Sequence, residues 1–253
     1  MKRLLIALGL CVLSAQVGAL NLGAFKAKLE DLTKPAESNS ATPASGLAQF
    51  SSQDQVESLK QALTQGAETA VGNLAKKDGY LANPKVRIPL PENLQKANRT
   101  LHRFGLGKYG DELTASMNRA AEAAVPEAKT LLVAAVKNMT VTDAKDILLG
   151  NDDAATQYFQ HNTEIPLGER FKPIVSNAMK KVSLAQSYDR FAGQGVKFGL
   201  VKEQDAHLDD YITRNALDGL FLMIAVQEKE IRDHPLQATG ALAQKVFTSI
   251  LGQ

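Results

Sequence analysis

Apolar residues recur at intervals of three and four positions along most of the chain from Leu47 onward. This spacing places them on one face of an α-helix, whereas a strand needs apolar residues at every second position. The clearest case is a long helix with apolar positions at Val56, Leu59, Leu63, Ala67, Ala70, Val71 and Leu74. No segment sustains the alternation of a strand, so the sequence predicts an all-α fold.

Proline, glycine and capping residues divide this helical pattern into separate elements. Residues 78–91 contain three prolines, which predict a long irregular connection. Thr140 and Asp143 have the spacing of a capping box at the start of a short helix, and Gly150 is expected to end it in the left-handed conformation. Further helices are predicted over 91–105, 111–124, 126–138, 151–162, 167–191, 205–233 and 236–251.

The predicted helix 205–233 is apolar on every side in its middle. Residues 219–226 read GLFLMIAV, which is typical of a helix surrounded by other helices. Eight apolar residues between Asp218 and Glu228 are too few to cross a membrane, which takes about 20 residues. We therefore expect a single multi-helix bundle with this helix buried at its centre, and no membrane span in the mature chain.

The N-terminal residues 1–19 have the order of a secretory signal peptide. A Lys-Arg pair precedes the apolar run 4–13, and small residues lead to a cleavage site after Ala19. Cys11 lies inside this leader, and the bulky Leu10 before it disfavours cleavage and lipoprotein anchoring at that cysteine. The sequence thus predicts an exported protein that begins near residue 20.

The mature chain is expected to contain one folded domain. Residues 20–46 form a short N-terminal segment and a linker, because the stretch 33–46 is rich in Pro, Ser, Thr and Ala. Such a composition buries too little apolar surface to offset the entropy lost on ordering. The helical domain is therefore assigned to residues 47–253.

Charge and cysteine content exclude several classes of function. The leader carries two cations and no acidic residue, so its removal lowers the formal charge from +2 to 0. A balanced chain lacks the basic stripe of a nucleic-acid-binding protein. Because the single cysteine is in the leader, the mature chain has no thiol for a disulfide or a zinc-thiolate site.

The remaining motifs for cofactors and metals are weak. Residues 105–110 read GLGKYG, but a dinucleotide-binding loop follows a strand, and here a helix precedes the glycines. We interpret this run, and the glycines at 193, 195 and 199, as turns between helices. The four histidines lack the spacing of a helical metal site, and there is no nucleophile elbow around a serine. On these observations we predict no cofactor and no metal, and we assign no catalytic residue. The histidines are His102, His161, His207 and His234.

Two polar groups interrupt the apolar pattern of two predicted helices. Asn118, Arg119 and Glu122 share one side of an alanine-rich helix, and Glu228 and Arg232 form a pair four residues apart. They could be solvated salt bridges, worth about 0.3–0.5 kcal/mol per pair. They could instead form a buried network that lines a small pocket between the two helices. In that case Arg119→Ala would cost several kcal/mol.

Four runs of sequence carry a resemblance to a known family. They are IPLP at 88–91, MNRAAEAAVPEA at 117–128, MTVTDAKDILLGNDDAATQYF at 139–159 and DGLFLMIAVQEKEIRDHP at 218–235. Over about residues 50–250 the chain resembles DUF4197, a domain of unknown function found in exported proteins of Gram-negative bacteria. The resemblance implies an all-helical envelope protein in the periplasm and assigns no activity or substrate. Its signature positions correspond to Asn118, Arg119, Glu122, Asp143, Asp146, Thr156, Tyr158, Glu228 and Arg232.

Two hypotheses of function follow from these observations. The first is a non-catalytic periplasmic protein that binds a small ligand or an envelope partner, with a polar pocket at Asn118, Arg119, Glu122, Asp143, Thr156, Tyr158, Glu228 and Arg232. The second is a hydrolase in which Glu122 and Glu228 act as general acid and base. The second hypothesis requires these two carboxylates to reach an enclosed concave site.

Overall fold

The computed structural model describes residues 51–105, 107–182 and 207–234, together with positions 185 and 188. All of them belong to one compact unit, residues 41–253. The predicted leader, the segment 20–46, the glycines at 193, 195 and 199 and the helix 236–251 lie outside the described residues.

The described residues form α-helices and no strand, which confirms the all-α prediction. A 3₁₀ turn, Val125–Glu127, joins the third helix to the fourth, so Pro126 lies in that turn and not inside an α-helix. The helices in chain order are α1 Ser52–Leu74, α2 Glu92–Arg103, α3 Lys108–Ala124, α4 Ala128–Asn138, α5 Val141–Leu149, α6 Ala154–Met179 and α7 Leu208–Asp233.

Helix α7 packs along α6 and α1 and also contacts α3. Its middle is buried as predicted, at Leu220, Phe221 and Ile224, but Leu222 is exposed. One edge of α7 therefore reaches the surface, and α6 shares the central position because it also packs against α3, α4 and α5. Gly219 permits a close contact, since a Cβ there would lie 2.8 Å from the ring of Tyr80.

Helix α6 corrects the prediction of two helices at 151–162 and 167–191. It runs unbroken from Ala154 to Met179, with Pro166 and Pro173 inside it. A proline removes one backbone hydrogen bond, but packing of a continuous apolar face can maintain the helix across the gap. That face repeats every four residues, at Phe159, Thr163, Leu167, Phe171, Val175 and Met179, all of which are buried.

The capping box at the start of α5 is confirmed. The Thr140 hydroxyl accepts a hydrogen bond from the N–H of Asp143 at 3.1 Å, and the Asp143 carboxylate accepts one from the N–H of Thr140 at 2.9 Å. The bonds from the backbone and then the side chain of Thr140 lower the pKa of Asp143. Ser51 and Asp54 form a second capping box at α1, which the sequence analysis missed.

The glycine predictions have different outcomes. Gly105, with φ of 74°, occupies a turn between α2 and α3, as the analysis of the GLGKYG run expected. The prediction for Gly150 is wrong, because its φ of −80° and ψ of −173° are extended. Glycine fits there for another reason, since a Cβ would collide with the carbonyl oxygen of Asp146.

We expect Thr140→Ala to lower the free energy of unfolding by about 1 kcal/mol at neutral pH, because the N–H of Asp143 loses its cap. The contribution of Asp143 is present above its unfolded pKa, near 3.9, and is lost as the pH falls through the lower folded pKa. Urea unfolding measures the change. Thr142→Ala, at an exposed position of the same helix, is the matched control, and an equal effect of both variants would contradict the prediction.

Candidate functional site

Asn118 joins helix α3 to the irregular connection 75–91. Its side chain is fully buried, and the Oδ1 atom accepts a hydrogen bond from the N–H of Ile88 at 2.9 Å. The Nδ2 atom donates to the carbonyl oxygens of Ile88, at 2.9 Å, and Thr114, at 2.8 Å. The amide therefore pairs with the backbone of Ile88 as a neighbouring strand would, and all three of its contacts are internal to the protein.

Glu122 lies one turn further along α3 and binds the same connection. Its side chain is 5% exposed, and its Oε1 atom accepts hydrogen bonds from the N–H groups of Tyr80, at 3.1 Å, and Leu81, at 3.3 Å. Its Oε2 atom accepts from Arg119 at 2.6 Å. Arg119 also donates to Asp78 at 2.6 Å, and the two bonds, that to Glu122 first, raise the pKa of the guanidinium. The carboxylate thus has a partner for each oxygen.

Arg119 stands at the edge of this network. Its side chain is 36% exposed and that of Asp78 is half-exposed. Asp78 itself has a φ of 69°, a left-handed conformation that aspartate tolerates better than most residues. The buried-network hypothesis expected Arg119→Ala to lower the free energy of unfolding by several kcal/mol. Because Arg119 is partly exposed and Glu122 is buried, we now expect the large loss for substitution of Glu122 and a smaller one for Arg119.

Tyr80 carries the network across to α7. Its ring is fully buried, and its hydroxyl donates to the carbonyl oxygen of Ala216 at 2.7 Å. Burial, together with the nearby charge of Glu122, raises the pKa of the phenol. The connection 75–91 is thereby bonded to α3 on one side and to α7 on the other.

Glu228 and Arg232, on α7, bind the ends of two other helices. Glu228 is buried and accepts hydrogen bonds from the N–H groups of Ala155, at 3.0 Å, and Thr156, at 2.9 Å, and from the Thr156 hydroxyl, at 2.8 Å. Arg232 donates to Glu228 at 2.9 Å and to the carbonyl oxygen of Ile147 at 3.0 Å. The carboxylate therefore caps the N-terminus of α6, where free N–H groups favour an anion, and the guanidinium caps the last turn of α5.

The structure does not bring the predicted site residues into one pocket. Glu122 bonds to the backbone of residues 80 and 81 and Glu228 to that of residues 155 and 156, so the two carboxylates belong to separate networks. The two networks use five side chains of α3 and α7. None of these side chains lines any of three surface cavities formed by the described residues. Those side chains are Asn118, Arg119, Glu122, Glu228 and Arg232. Thr156 belongs to the Glu228 network.

Asp143 and Tyr158 line a different feature, a groove between α4, α5 and α6 of about 840 Å³. We refer to it as the α4–α5–α6 groove. Apolar side chains in it include Leu131, Ala134, Ala135, Ile147 and Ala154, and its polar side chains are Asn138, Asp143, Asp146, Asn151, Gln157, Tyr158, His161, Asn162 and Thr163. Tyr158 donates to the carbonyl oxygen of Ala135 at 2.9 Å, and partial burial raises the pKa of its phenol.

Sequence reasoning missed this groove because its lining is distributed over three helices. The signal that could have found it is the proximity of Asp143, Asp146 and Tyr158 among the positions that match the family. Asp146 and His161 make no side-chain hydrogen bond or ion pair within the part of the chain that the structure describes. They are therefore available to a ligand.

One known protein family matches most of this chain. The family described as "Protein of unknown function (DUF4197)" matches residues 49–248 of the 253-residue chain. The chain belongs to the DUF4197 family. No curated protein and no solved structure matches it.

Among the described residues, no group of three or more His, Cys, Asp or Glu side chains is arranged to hold a metal ion. Within those ranges, no helix combines the length and the apolar character needed to traverse a bilayer. His102, near the α2–α3 turn, lies 3.3 Å from Asp111 and not beside another histidine.

We expect Glu122→Ala to lower the free energy of unfolding of the DUF4197 domain by about 3 kcal/mol, because two buried N–H groups lose their acceptor. Arg119→Ala should have a smaller effect, since water can reach the groups it leaves behind. Urea unfolding at neutral pH measures both. Glu112→Ala, at an exposed position of the same helix, should stay within about 0.5 kcal/mol of the parent. Equal unfolding midpoints for Glu122→Ala and Glu112→Ala would refute the assignment.

We expect Glu228→Gln to weaken the start of α6 by about 2 kcal/mol. Glutamine keeps one acceptor oxygen, but its amide nitrogen cannot accept the second of the two hydrogen bonds from the N–H groups of Ala155 and Thr156, and the negative charge at the helix N-terminus is lost. Amide hydrogen exchange measures this directly, as faster exchange at those two residues. Glu230→Gln changes the same charge at an exposed position of α7 and is the control. Unchanged protection in Glu228→Gln would show that the cap contributes little.

Proposed function

We propose that this DUF4197 protein is a non-catalytic periplasmic protein that binds a small ligand or an envelope partner in the α4–α5–α6 groove. The observation that carries the proposal is the groove itself, a concavity of about 840 Å³ between three helices. Ligand sites commonly combine such a concave apolar surface with a few polar groups that fix orientation. Asp146 and His161 are polar groups of this kind.

The lining of the groove indicates the chemistry of its ligand. Asp143 and Asp146 contribute two carboxylates, and no Lys or Arg is found among the described residues that line it. Charge complementarity therefore favours a ligand with a positive charge. The aliphatic surface of Leu131 and Ile147 suits an alkyl chain. We infer that the ligand is an aliphatic amine, either free or presented by the lysine side chain of a partner.

The contacts of the buried carboxylates support a binding role over the alternative of a hydrolase. A general acid or base must lie within hydrogen-bonding distance of the substrate. Glu122 and Glu228 instead each bond to backbone N–H groups and to an arginine, and neither lines the α4–α5–α6 groove. Their arrangement suits positioning of the backbone.

The periplasmic part of the proposal rests on the leader in residues 1–19. A charged start, a short apolar run and small residues before Ala19 direct a chain to the export machinery. One purification can test both the ligand and the compartment, because protein isolated from the periplasm has been exposed to the small molecules of that compartment.

We expect native mass spectrometry of protein released from the periplasm to show a chain that begins at Leu20 and carries a bound small molecule. Ala134→Phe should abolish the bound mass, because the larger side chain fills the groove. Val133→Phe is the matched control, since the neighbouring Val133 lines a different surface cavity, between α1 and α4.

We also expect Asp146→Asn to weaken the binding of spermidine, used as a probe amine, because the groove loses one negative charge. Titration calorimetry should show a dissociation constant about fivefold higher than that of the parent.

Three outcomes would contradict this proposal. Recovery of the protein from the cytosol with its leader intact would refute the compartment. An equal loss of the bound mass in Ala134→Phe and Val133→Phe would refute the groove as the site. Absence of both a bound mass and spermidine binding in the parent would refute the ligand chemistry.

A further inference from the structure

Two aromatic side chains are exposed at the turn between α2 and α3. Phe104 is 75% exposed and Tyr109 is 50% exposed. Gly105, with its φ of 74°, reverses the chain directly after Phe104. The two residues are five positions apart in the sequence, and exposed apolar surface commonly marks an interaction site. We refer to Arg103, Phe104, Gly105, Lys108 and Tyr109 as the α2–α3 turn.

Three cationic residues lie close to these aromatic residues along the chain. Arg99 and Arg103 are one helical turn apart at the end of α2, and Lys108 begins α3, with its ammonium 5.2 Å from the centre of the Tyr109 ring. None of these three cations forms an ion pair with a carboxylate among the described residues.

The acidic residues nearest in sequence do not neutralise this charge. Asp111 lies 3.3 Å from His102, and Glu112 is exposed one turn into α3 from Lys108. The α2–α3 turn therefore combines exposed aromatic surface with unpaired positive charge.

We propose that the α2–α3 turn docks this protein on an anionic phospholipid bilayer. Aromatic side chains partition to the headgroup level of a bilayer, where an apolar ring and a polar edge are both accommodated. Lysine and arginine next to them are attracted to anionic headgroups, and each adds about fivefold to the affinity. This attachment is peripheral, and it goes beyond the proposed function because it uses other residues than the α4–α5–α6 groove.

A lipid surface fits this turn better than nucleic acid does. Nucleic-acid binding relies on a stripe of many Lys and Arg residues, and most of its affinity comes from phosphate contacts. Here three cations flank two exposed rings, which is the balance typical of membrane-surface contacts. Phe104 has no polar edge to pair with a base and is the more exposed of the two rings.

The experiment is co-sedimentation of the mature full chain with lipid vesicles. We expect binding to vesicles of phosphatidylcholine mixed with phosphatidylglycerol and little binding to phosphatidylcholine alone. Raising the salt concentration should weaken binding, since salt screens the attraction between exposed charges. Phe104→Ser should lower the partition coefficient about tenfold, because the ring no longer enters the headgroup layer. Arg103→Glu should lower it by at least as much.

Matched variants separate the α2–α3 turn from the rest of the surface. Ile165→Ser removes an aliphatic side chain that is 78% exposed on α6, and Lys145→Glu reverses an exposed charge on α5. Both should bind vesicles as the parent does. The proposal is overturned if the parent fails to sediment with the anionic vesicles, or if the control variants lose binding as far as Phe104→Ser and Arg103→Glu. Thermal unfolding followed by circular dichroism should show the same melting temperature for all four variants.

Discussion

The fold depends on a buried carboxylate that binds the backbone of an irregular segment. Connection 75–91 packs against the helices and buries Tyr80, Val86 and Ile88, while other residues of the connection are exposed. Helices satisfy their own N–H and C=O groups, but an irregular segment does not, and each unsatisfied buried group is costly. Glu122 and Asn118 supply the missing partners from α3. The segment is thereby held against α3, and the Tyr80 hydroxyl bonds it to α7 as well.

The same constraint explains the second buried network. Helix α6 begins inside the bundle, and the first N–H groups of a helix have no partner within it. Glu228 accepts hydrogen bonds from two of these groups, while Arg232 pairs with Glu228 and with a carbonyl oxygen of α5. Glu122 and Glu228 thus have the same role, which is to accept hydrogen bonds from backbone N–H groups that have no other partner among the described residues. In the sequence, a glutamate close to an arginine on an apolar helix suggested a catalytic pair, but here both carboxylates bind the backbone. Functional hypotheses are therefore better directed to groups such as Asp146 and His161, which the fold leaves available.

Local features of this protein could be predicted from sequence, and long-range partners could not. The capping box at Thr140 depends on residues three positions apart, and the burial of α7 depends on its own composition. Asn118 bonds to Ile88, 30 positions away, and no periodicity links the two. The prediction of two helices at 151–162 and 167–191 failed for a different reason, because a buried face with a period of four residues continues through Pro166. That pattern is present in the sequence.

A formal charge of 0 for residues 20–253 gives little information about partners, because the charges are unevenly placed. Carboxylates without lysine or arginine line the described part of the α4–α5–α6 groove, whereas cations without a carboxylate partner among the described residues accompany the exposed rings of the α2–α3 turn. Attraction between exposed charges extends over about 8 Å in physiological salt, so a partner responds to the local charge and not to the sum. The groove and the turn should therefore favour ligands of opposite sign. For that reason an amine in the groove and an anionic lipid at the turn do not compete for the same residues.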